Sequence, residues 1–391
     1  MITIGTARNR LMDAVQRTPV VERSLVDAVG AFAAMDATAP CEHPLFDTSA
    51  VDGYAFEHGG DEWRVTASLA AGDVLERPLK PGEAVRIFTG AAVPVGADTV
   101  VMQEFVQRTG DTIRHSDDRL RPGGNVRRRG EQVRVGDVLL QRGERITAAH
   151  VGLMASVGVE RVPVHIRPRV ALVRTGGEFR EAGASTVGRI FSSNEQLLEA
   201  ALRAEGHAVH RPPFLVRDER AALREAFSLA IHQSDLVIST GGVSVGEHDL
   251  VADVLCELGV ELLFHGVRQK PGKPMLAARH GSTMVLALPG NPRAVLVAWH
   301  AYVLPVLAAM QGARDPWPRS ELLPLAAPLQ WKGGRVDLRA GQVRSGQVHL
   351  LADEGSHMLL GMCSADVLVE LPDSGGELNA GAPVKVHYLS R

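Results

Sequence analysis

The chain has 391 residues, of which 45% are hydrophobic and 22% charged, a balance typical of globular proteins with at least two domains. Its formal net charge of −3 argues against nucleic acid or an anionic membrane surface as a general partner. Cys41, Cys256 and Cys363 are far apart in sequence, which argues against a zinc site or a disulfide framework. No apolar run reaches the ~20 residues of a membrane span and none is typical of a signal peptide, so we expect a cytoplasmic protein.

The first 40 residues are predicted to be helical, because apolar residues recur at helical spacing between Leu11 and Ala33. Ala148–Val157 shows the same pattern. Between these segments, short apolar runs are separated by Gly, Pro and Asp turns, which predicts a β-rich module. We therefore expect a helical stalk from residues 1–40 and 144–168, with residues 41–143 inserted into it as a β-rich domain.

Residues 169–316 repeat one pattern of strand, glycine-containing loop and helix. The strand-like runs are Val170–Val173, Asp235–Ile238 and Met284–Leu288. Four amphipathic stretches are predicted to be helices: Asn194–Glu205, Glu219–Ile231, Leu250–Leu258 and Arg293–Met310. This alternation predicts a parallel α/β sheet with ligands bound where the loops meet, beyond the carboxyl ends of the strands.

Residues 317–391 have a different texture and follow a proline-containing linker. They contain short segments of alternating polarity, Val343–Leu351 and Val367–Leu371 among them, separated by turn residues. This pattern predicts a small C-terminal β domain, similar to a barrel.

The glycine-containing loops are candidate anion sites, because backbone amides at helix starts point at a ligand and the helix dipole favours negative charge. None matches a P-loop or the G-x-G-x-x-G pattern, and any single one is more often plain loop geometry. Only five lysines occur in the chain, and two of them, Lys270 and Lys273, share one K-P-G-K-P segment. A compact positive charge there suits an oxyanion, although a solvated turn explains the pair equally well. Three such loops together indicate a phosphate-bearing ligand.

Four acidic residues lie among the same loops: Glu178, Asp218, Glu247 and Asp249. Carboxylates in a site for anions usually imply a divalent cation, and Mg²⁺ is the natural candidate beside phosphates. Each acid alone could equally be solvated. Asp218 precedes a predicted helix and could be its N-cap.

The segment Ser239–Asp249 resembles the T/S-G-G-x-S-x-G-x-x-D hallmark of molybdenum-cofactor biosynthesis domains. Further segments, in the family's order, extend the resemblance over nearly the whole chain and narrow it to the molybdenumtransferase branch, which comprises MoeA in bacteria and the gephyrin E domain in animals. These segments are D-T-S-A-V-D-G-Y-A at 47–55, R-I-F-T-G-A at 86–91, G-A-D-T-V-V-M-Q-E at 96–104, K-P-G-K-P at 270–274, L-P-G-N-P at 288–292 and G-R-V-D at 334–337.

The resemblance implies an α/β multidomain protein with four domains, forming a homodimer. Its cleft would lie where the β-rich domain of one subunit meets the α/β domain of the other. Adenylylated molybdopterin and molybdate would be the substrates, with Mg²⁺-assisted hydrolysis of the pyrophosphate link releasing AMP. The adenylyltransferase that supplies the substrate and the molybdoenzymes that accept the product are implied as further partners.

Carried over by position, the resemblance implies catalytic roles for Asp52, Thr89, Glu178, Asp218, Asp249 and Lys270, with Asp249 and Glu178 as the Mg²⁺ ligands. It implies substrate-binding roles for Thr175, Gly176, Ser193, Asn194, Gly241, Gly242, Ser244, Lys273, Pro289, Gly290, Asn291, Pro292, Arg335 and Ser356.

Three positions depart from the family's pattern. Gln132 stands where an acid is common, and Val51 where methionine is usual. Gly266 stands where lysine is common, with Arg268 as a candidate substitute. The changes at Gln132 and Gly266 alter the charge expected around molybdate. Arg127, Arg128 and Arg129 could form a substrate-facing patch or a solvated face.

Two other functions share part of this pattern. An adenylyltransferase of the same α/β fold is usually that domain alone, so the β-rich module and the C-terminal domain argue against it. A non-catalytic scaffold could lose its carboxylates and lysines freely, whereas most are present here. Gln132 and Gly266 are changes that such a scaffold would tolerate. The sequence leaves the choice between molybdate and tungstate open.

Overall fold

The structure is a computed structural model that describes residues 1–179, 187, 189–209, 213–243, 250–352, 355 and 357–389. Its elements form a multidomain α/β protein with three six-stranded sheets, counting only these residues, and confirm the predicted fold class. The α-helices are Ile4–Ala14, Ala148–Ser156, Asn194–Ala204, Arg220–Gln233, Leu250–Glu257, Pro292–Ala298, Leu304–Met310 and Leu360–Cys363.

The N-terminal region is only partly helical. Helix Ile4–Ala14 buries one face in the same core as the central sheet. The prediction of helix further along is wrong, because Val20–Ser24 is a strand paired antiparallel with Arg161–His165. Turns follow it, and the side chain of Val26 is 75% exposed rather than buried on a helical face.

The second predicted helix of the stalk is confirmed at Ala148–Ser156. It begins with a capping box in which Thr147 and His150 satisfy each other's backbone N–H groups. Its buried Met154 belongs to a hydrophobic cluster that also contains Leu25 and Ala28. The helix therefore packs on the turns that follow the first strand.

The inserted region is β-rich, as predicted. Its main sheet has six strands in the order Thr99–Met102, Gly53–Phe56, Glu83–Ile87, Trp63–Leu69, Thr112–His115 and Val106–Thr109. Two short strand pairs flank it, namely Thr48–Ser49 with Val126–Arg127 and Ala37–Thr38 with Val138–Leu140.

The central sheet carries the candidate site. Its strand order is Phe214–Val216, Val170–Thr175, Leu236–Thr240, Thr283–Leu288, Leu276–His280 and Glu261–His265. The first four strands are parallel, as predicted, and the last two neighbours pair antiparallel. Arg174, Thr240 and Leu288 are in register across three of the parallel strands. The three glycine-containing loops therefore begin at the same level of the sheet.

Helices cover both faces of this sheet, and its central strands are buried throughout. Every residue of Leu236–Thr240 and Thr283–Leu288 is buried. Among the described residues, one helical segment, Pro292–Met310, is long and apolar enough to cross a membrane. Because 78% of its most apolar window is buried in the structure, it is a core helix. A π-helical turn at Trp299–Val303 lies within it.

The C-terminal region forms the third sheet. Its strands are ordered Gln269–Lys270, Val336–Arg344, Val367–Leu371, Pro383–Tyr388 and Ser320–Pro324, and Gln347–Leu350 pairs with the second of them. A separate pair consists of Leu329–Trp331 and Gly376–Leu378. The first strand comes from the K-P-G-K-P segment, so this sheet is joined to the α/β region at the two candidate lysines.

Candidate functional site

The three predicted loops meet at a cavity of about 550 Å³ beyond the carboxyl ends of the parallel strands. Its lining includes most of the loop residues expected from the sequence: Glu178, Ser193, Asn194, Gly241, Gly242, Pro289, Gly290, Asn291 and Pro292. It also includes Phe179, Ile190, Phe191, Val243, Pro274 and His357, which were not predicted. The cavity is therefore polar at its loops and has an apolar wall formed by Phe179, Ile190 and Phe191.

Gly241 allows two of these loops to approach each other. Its φ of +86° lies in the left-handed region, and a Cβ there would lie 2.6 Å from the carbonyl oxygen of Thr175. Its N–H donates to the carbonyl of Leu288 at 3.3 Å, which ties it to the next strand. A Cβ on Gly290 would lie 3.8 Å from Cα of Gly241. Glycine is thus required at position 241, whereas at position 290 an added Cβ would make an ordinary van der Waals contact.

Asn194 presents an unsatisfied acceptor at the cavity. It is the first residue of helix Asn194–Ala204, and its Nδ2 donates to the carbonyl of Gly290 at 2.7 Å. Among the residues that the structure describes, its Oδ1 has no partner, although Asn194 is only 4% exposed. A buried acceptor without a donor is unfavourable, by about 1–3 kcal/mol, so the site suits a ligand that brings an N–H or O–H group.

The structure separates the predicted acids. Glu178 lines the cavity and is exposed, with its carboxylate folded back against Gly176. Asp218 is exposed, follows the edge strand Phe214–Val216 and does not line the cavity. The residue at the N-cap of the next helix is Glu219, so Asp218 does not occupy the capping position. Ser244, Glu247, Asp249 and Ser356 lie outside the described residues.

The described acids suit Mg²⁺ only in the presence of a phosphate ligand. Within the described ranges, no group of three or more His, Cys, Asp or Glu side chains could hold a metal ion. Mg²⁺, however, usually takes one or two carboxylates and completes its shell with phosphate oxygens and water. Glu178 can supply one such carboxylate beside the glycine turns.

Lys270 and Lys273 lie on a loop with a buried support. Gln269 is fully buried and its Nε2 donates to the carbonyl of Pro271 at 3.1 Å. Its Oε1 accepts from the hydroxyl of Tyr302, whose pKa is raised by burial, so the hydroxyl remains a donor. Sequence reasoning missed both residues, and the available signal was a tyrosine in a largely apolar helical segment, because a buried phenol needs a partner.

The lysine segment also contacts the C-terminal sheet. Gln269 and Lys270 pair in parallel with Val336 and Asp337. Nζ of Lys270 lies 3.9 Å from Oδ2 of Asp337, which is buried and also accepts from Arg339 at 2.9 Å. Pro274 lines the cavity, whereas neither lysine does.

The structure places Arg335 near the lysine segment. It is exposed and lies one residue before the strand that pairs with Gln269. Arg268, the candidate substitute for the family's lysine, donates to Asp373 at 2.9 Å. The backbone of Gly266 pairs with Ile2 and Met275. Arg268 therefore links the lysine segment to the C-terminal region, and its charge is paired with Asp373.

Asp52 and Thr89 form one unit in the inserted β-rich region. The backbone N–H and the hydroxyl of Thr89 both donate to Oδ1 of Asp52, each at 2.8 Å. The backbone hydrogen bond from Thr89, followed by the hydroxyl bond, lowers the pKa of Asp52 below its usual value. Neither residue lines the cavity of its own chain. The structure therefore brings these two together but leaves them apart from the loop site.

The arginine patch at residues 127–129 is largely paired within the same region. Arg128 donates to Asp47 at 2.7 Å, and Arg129 pairs with Glu42. Those two guanidinium groups organise the loop that carries Asp47. The Arg128 and Arg129 side chains are 51% and 66% exposed, so of the two interpretations left open by the sequence their contacts fit a solvated face.

Sequence profiles of one family match three parts of the chain. The profile described as the MoeA N-terminal region (domain I and II) matches residues 2–158. One described as a probable molybdopterin binding domain matches residues 156–309, and the MoeA C-terminal region (domain IV) matches residues 323–389.

Relatives and solved structures agree with these matches. A protein of Nostoc sp. named molybdopterin molybdenumtransferase is 35% identical to this chain, and the match covers 78% of this chain and 72% of the Nostoc protein. A protein of the same name from Haemophilus influenzae is 32% identical, and the match covers 99% of this chain and 98% of the Haemophilus protein. The crystal structure of a molybdopterin biosynthesis moeA protein from Pyrococcus horikoshii superimposes with a TM-score of 0.83, at 26% identity and over 100% of both chains.

Proposed function

This chain belongs to the molybdopterin molybdenumtransferase family and is an enzyme of molybdenum cofactor biosynthesis, and we propose that it acts on adenylylated molybdopterin and molybdate. Molybdate is inserted into the pterin dithiolene, and AMP is released. One observation carries this proposal: three glycine-containing loops meet at a cavity of about 550 Å³ whose neighbouring loop bears both candidate lysines. An adenylyltransferase is disfavoured, because the matching relatives that span nearly the whole chain are molybdenumtransferases.

The phosphates of the substrate would lie at the glycine turns. Gly241 and Gly290 present backbone there without side chains, and the N-terminus of helix Asn194–Ala204 adds a favourable dipole for an anion. Oδ1 of Asn194 would accept from a ligand N–H or O–H group and so lose its unsatisfied state. These groups orient the substrate, and water attacking one phosphorus of the pyrophosphate link yields AMP and the pterin phosphate.

Glu178 would hold Mg²⁺ together with Asp249, which lies outside the described residues. Bound Mg²⁺ would neutralise charge that develops on the phosphate oxygens during cleavage. Without phosphate, Glu178 alone is a weak site, so we expect the metal to bind with the substrate.

Lys270, Lys273 and Arg335 would bind the oxyanions, molybdate or the pterin phosphate. Asp337 holds Lys270 from the C-terminal sheet at 3.9 Å, and the paired strands keep Arg335 beside it. Because Lys270 and Arg335 lie at one junction between two sheets, molybdate binding would depend on the C-terminal region.

A second subunit would supply Asp52 and Thr89 to this cavity. Asp52 and Thr89 do not line the loop cavity of their own chain, so a role in that cavity requires a second subunit. Exposed apolar side chains along the N-terminal region support a homodimer: Val20, Val26, Val29, Met35, Leu45 and Phe46. Asp52 is a poor general base at neutral pH because its pKa is lowered, so we assign it an orienting role.

We further propose a cytoplasmic location and the domain boundaries expected from the sequence. The stalk would comprise residues 1–40 and 144–168, and the inserted domain residues 41–143. The α/β domain would comprise residues 169–316 and the C-terminal domain residues 317–391. Separate hydrophobic clusters within the inserted and C-terminal regions support this division.

The direct test is AMP release from adenylylated molybdopterin in the presence of molybdate and Mg²⁺, measured by chromatography. Glu178→Gln should slow AMP release by about 100-fold, by analogy with the loss of one electrostatic stabiliser. The matched control is Asp253→Asn, because Asp253 pairs with Arg220 on an outer surface at 3.2 Å. No AMP release by the wild-type protein, under conditions in which another family member is active, would contradict the proposal.

A further inference from the structure

Phe179, an aromatic side chain that lines the cavity, makes a cation–π contact with Arg174, which does not line it. Cζ of Arg174 lies 4.3 Å from the centre of the Phe179 ring, and Phe179 lines the cavity. Nη1 of Arg174 lies 3.6 Å from Oε1 of Glu195, and the side chains of both are 15% exposed. The hydroxyl of Ser192 also donates to Glu195. The ring therefore has a partly buried ionic support on its guanidinium side.

The backbone fixes the same ring in place. Phe179 forms a β-bridge with Ile190, and the N–H of Ile190 donates to the carbonyl of Glu178 at 3.0 Å. These contacts tie residues 178 and 179 to residue 190. A ring held in this way loses little conformational freedom when a ligand packs on it, which favours binding.

We propose that Phe179 is the surface on which a flat nitrogen heterocycle of the substrate stacks, with Arg174 as the residue that positions it. This inference rests on the proposed function, under which the cavity takes a molecule with a purine at one end and a pterin at the other. Oδ1 of Asn194 is an independent sign of a ligand, because it is a buried acceptor on the same cavity and both heterocycles carry amino groups. The apolar wall thus binds a ring, and the glycine turns bind the phosphates.

The test is equilibrium binding of AMP, ribose 5-phosphate and 6-hydroxymethylpterin to the purified protein, by calorimetry. Phe179→Leu keeps an apolar side chain but removes the ring, so it should weaken AMP, the pterin or both by about tenfold or more. It should leave ribose 5-phosphate unchanged. Phe179→Tyr should retain binding. If Phe179→Leu weakens the binding of AMP alone, the purine is assigned to this wall. If it weakens the binding of 6-hydroxymethylpterin alone, the pterin is assigned to it.

The role of Arg174 is tested by Arg174→Met in the wild-type and Phe179→Leu backgrounds. A positioning role predicts weaker heterocycle binding in the first background and no further loss in the second. Phe191→Leu is the matched control for Phe179→Leu, because Phe191 lines the same cavity and is 61% exposed. Equal effects of Phe179→Leu on AMP and ribose 5-phosphate, or no effect on either heterocycle, would overturn the proposal. Wild-type protein that binds none of the three ligands would contradict the proposed function itself.

Discussion

Among the predicted catalytic residues that the structure describes, Asp52 has the most closely defined contacts. One carboxylate oxygen accepts two hydrogen bonds of 2.8 Å from Thr89, so the side chain has a fixed direction. Its pKa is lowered chiefly by the backbone N–H of Thr89, which keeps the group ionised at neutral pH. The residue therefore offers a fixed negative charge to whatever faces it.

Asp52→Asn separates this charge from the geometry. The asparagine oxygen can still accept from Thr89, so we expect the melting temperature to be nearly unchanged. AMP release should fall at least about tenfold, because the charge is lost while the contacts remain. Thr89→Val is the companion variant: it retains the backbone N–H and should have a smaller effect. Normal AMP release by Asp52→Asn would show that the charge has no part in the reaction.

The residues that sequence reasoning missed share one physical property. Gln269, Tyr302, Arg174 and Phe179 act through contacts between segments distant in the chain or between a loop and the core. No local pattern specifies such pairs, whereas the glycine turns and the lysine segment are visible as short motifs. Sequence therefore predicted most of the loop lining, and packing decided which side chains support it.

At the scale of elements, the loops depend on the register of the parallel strands. Arg174, Thr240 and Leu288 are level with one another, so three loops leave the sheet side by side. The strands themselves were predictable, because they contain the continuous apolar runs Val170–Val173 and Met284–Leu288. Strand Val20–Ser24 was not, because its partner lies far along the chain at Arg161–His165. Helical spacing alone carries no information about such a partner.

Gly241→Ala tests whether the convergence of the loops needs glycine. Gly259→Ala is the control, because Gly259 has a φ of +72° but open space around a new Cβ, whereas at Gly241 the Cβ would lie 2.6 Å from Thr175. Backbone strain alone should lower the free energy of unfolding by about 1–2 kcal/mol in the control. Gly241→Ala should cost more and also weaken AMP binding, as measured by urea denaturation and calorimetry. Equal costs for the two variants would count against a steric role of Gly241.

At the scale of the molecule, two buried histidines couple stability to pH. Burial, with the charges of Arg167 and Arg145, lowers the pKa of His207 from 6.5 to about 4. Burial alone lowers the pKa of His300 to about 4. Both are neutral in the folded protein but bind protons once unfolded, so their stability contribution is complete above pH 6.5 and is lost as the pH falls towards 4.

The melting temperature should therefore fall between pH 7 and pH 5, since a shift of this size corresponds to roughly 3 kcal/mol for each histidine when fully titrated. His300→Phe should flatten the dependence, and so should His207→Leu. His349→Gln, at an exposed position, should leave it unchanged. A profile that is the same for wild type and His300→Phe would refute the assignment.

The proposed homodimer makes a separate demand on the whole molecule, namely that each cavity uses residues of both subunits. Subunits with Asp52→Asn and subunits with Lys270→Ala should be nearly inactive alone. When mixed by unfolding and refolding, they should regain about a quarter of wild-type activity, because half of the dimers then contain one intact cavity. Persistent inactivity of the mixed dimers, with refolded wild type active, would place both residues in the same subunit's site.

The central claim is tested most directly by the ratio of molybdenum inserted to AMP released in a single turnover. Purified protein is mixed with limiting adenylylated molybdopterin, excess molybdate and Mg²⁺, and both AMP and the reconstitution of an apo-molybdoenzyme are measured. Coupled insertion predicts about one AMP for each cofactor that activates the acceptor, with no activation when molybdate is omitted. AMP release without any activation of the acceptor would contradict molybdenum insertion as the function of this chain.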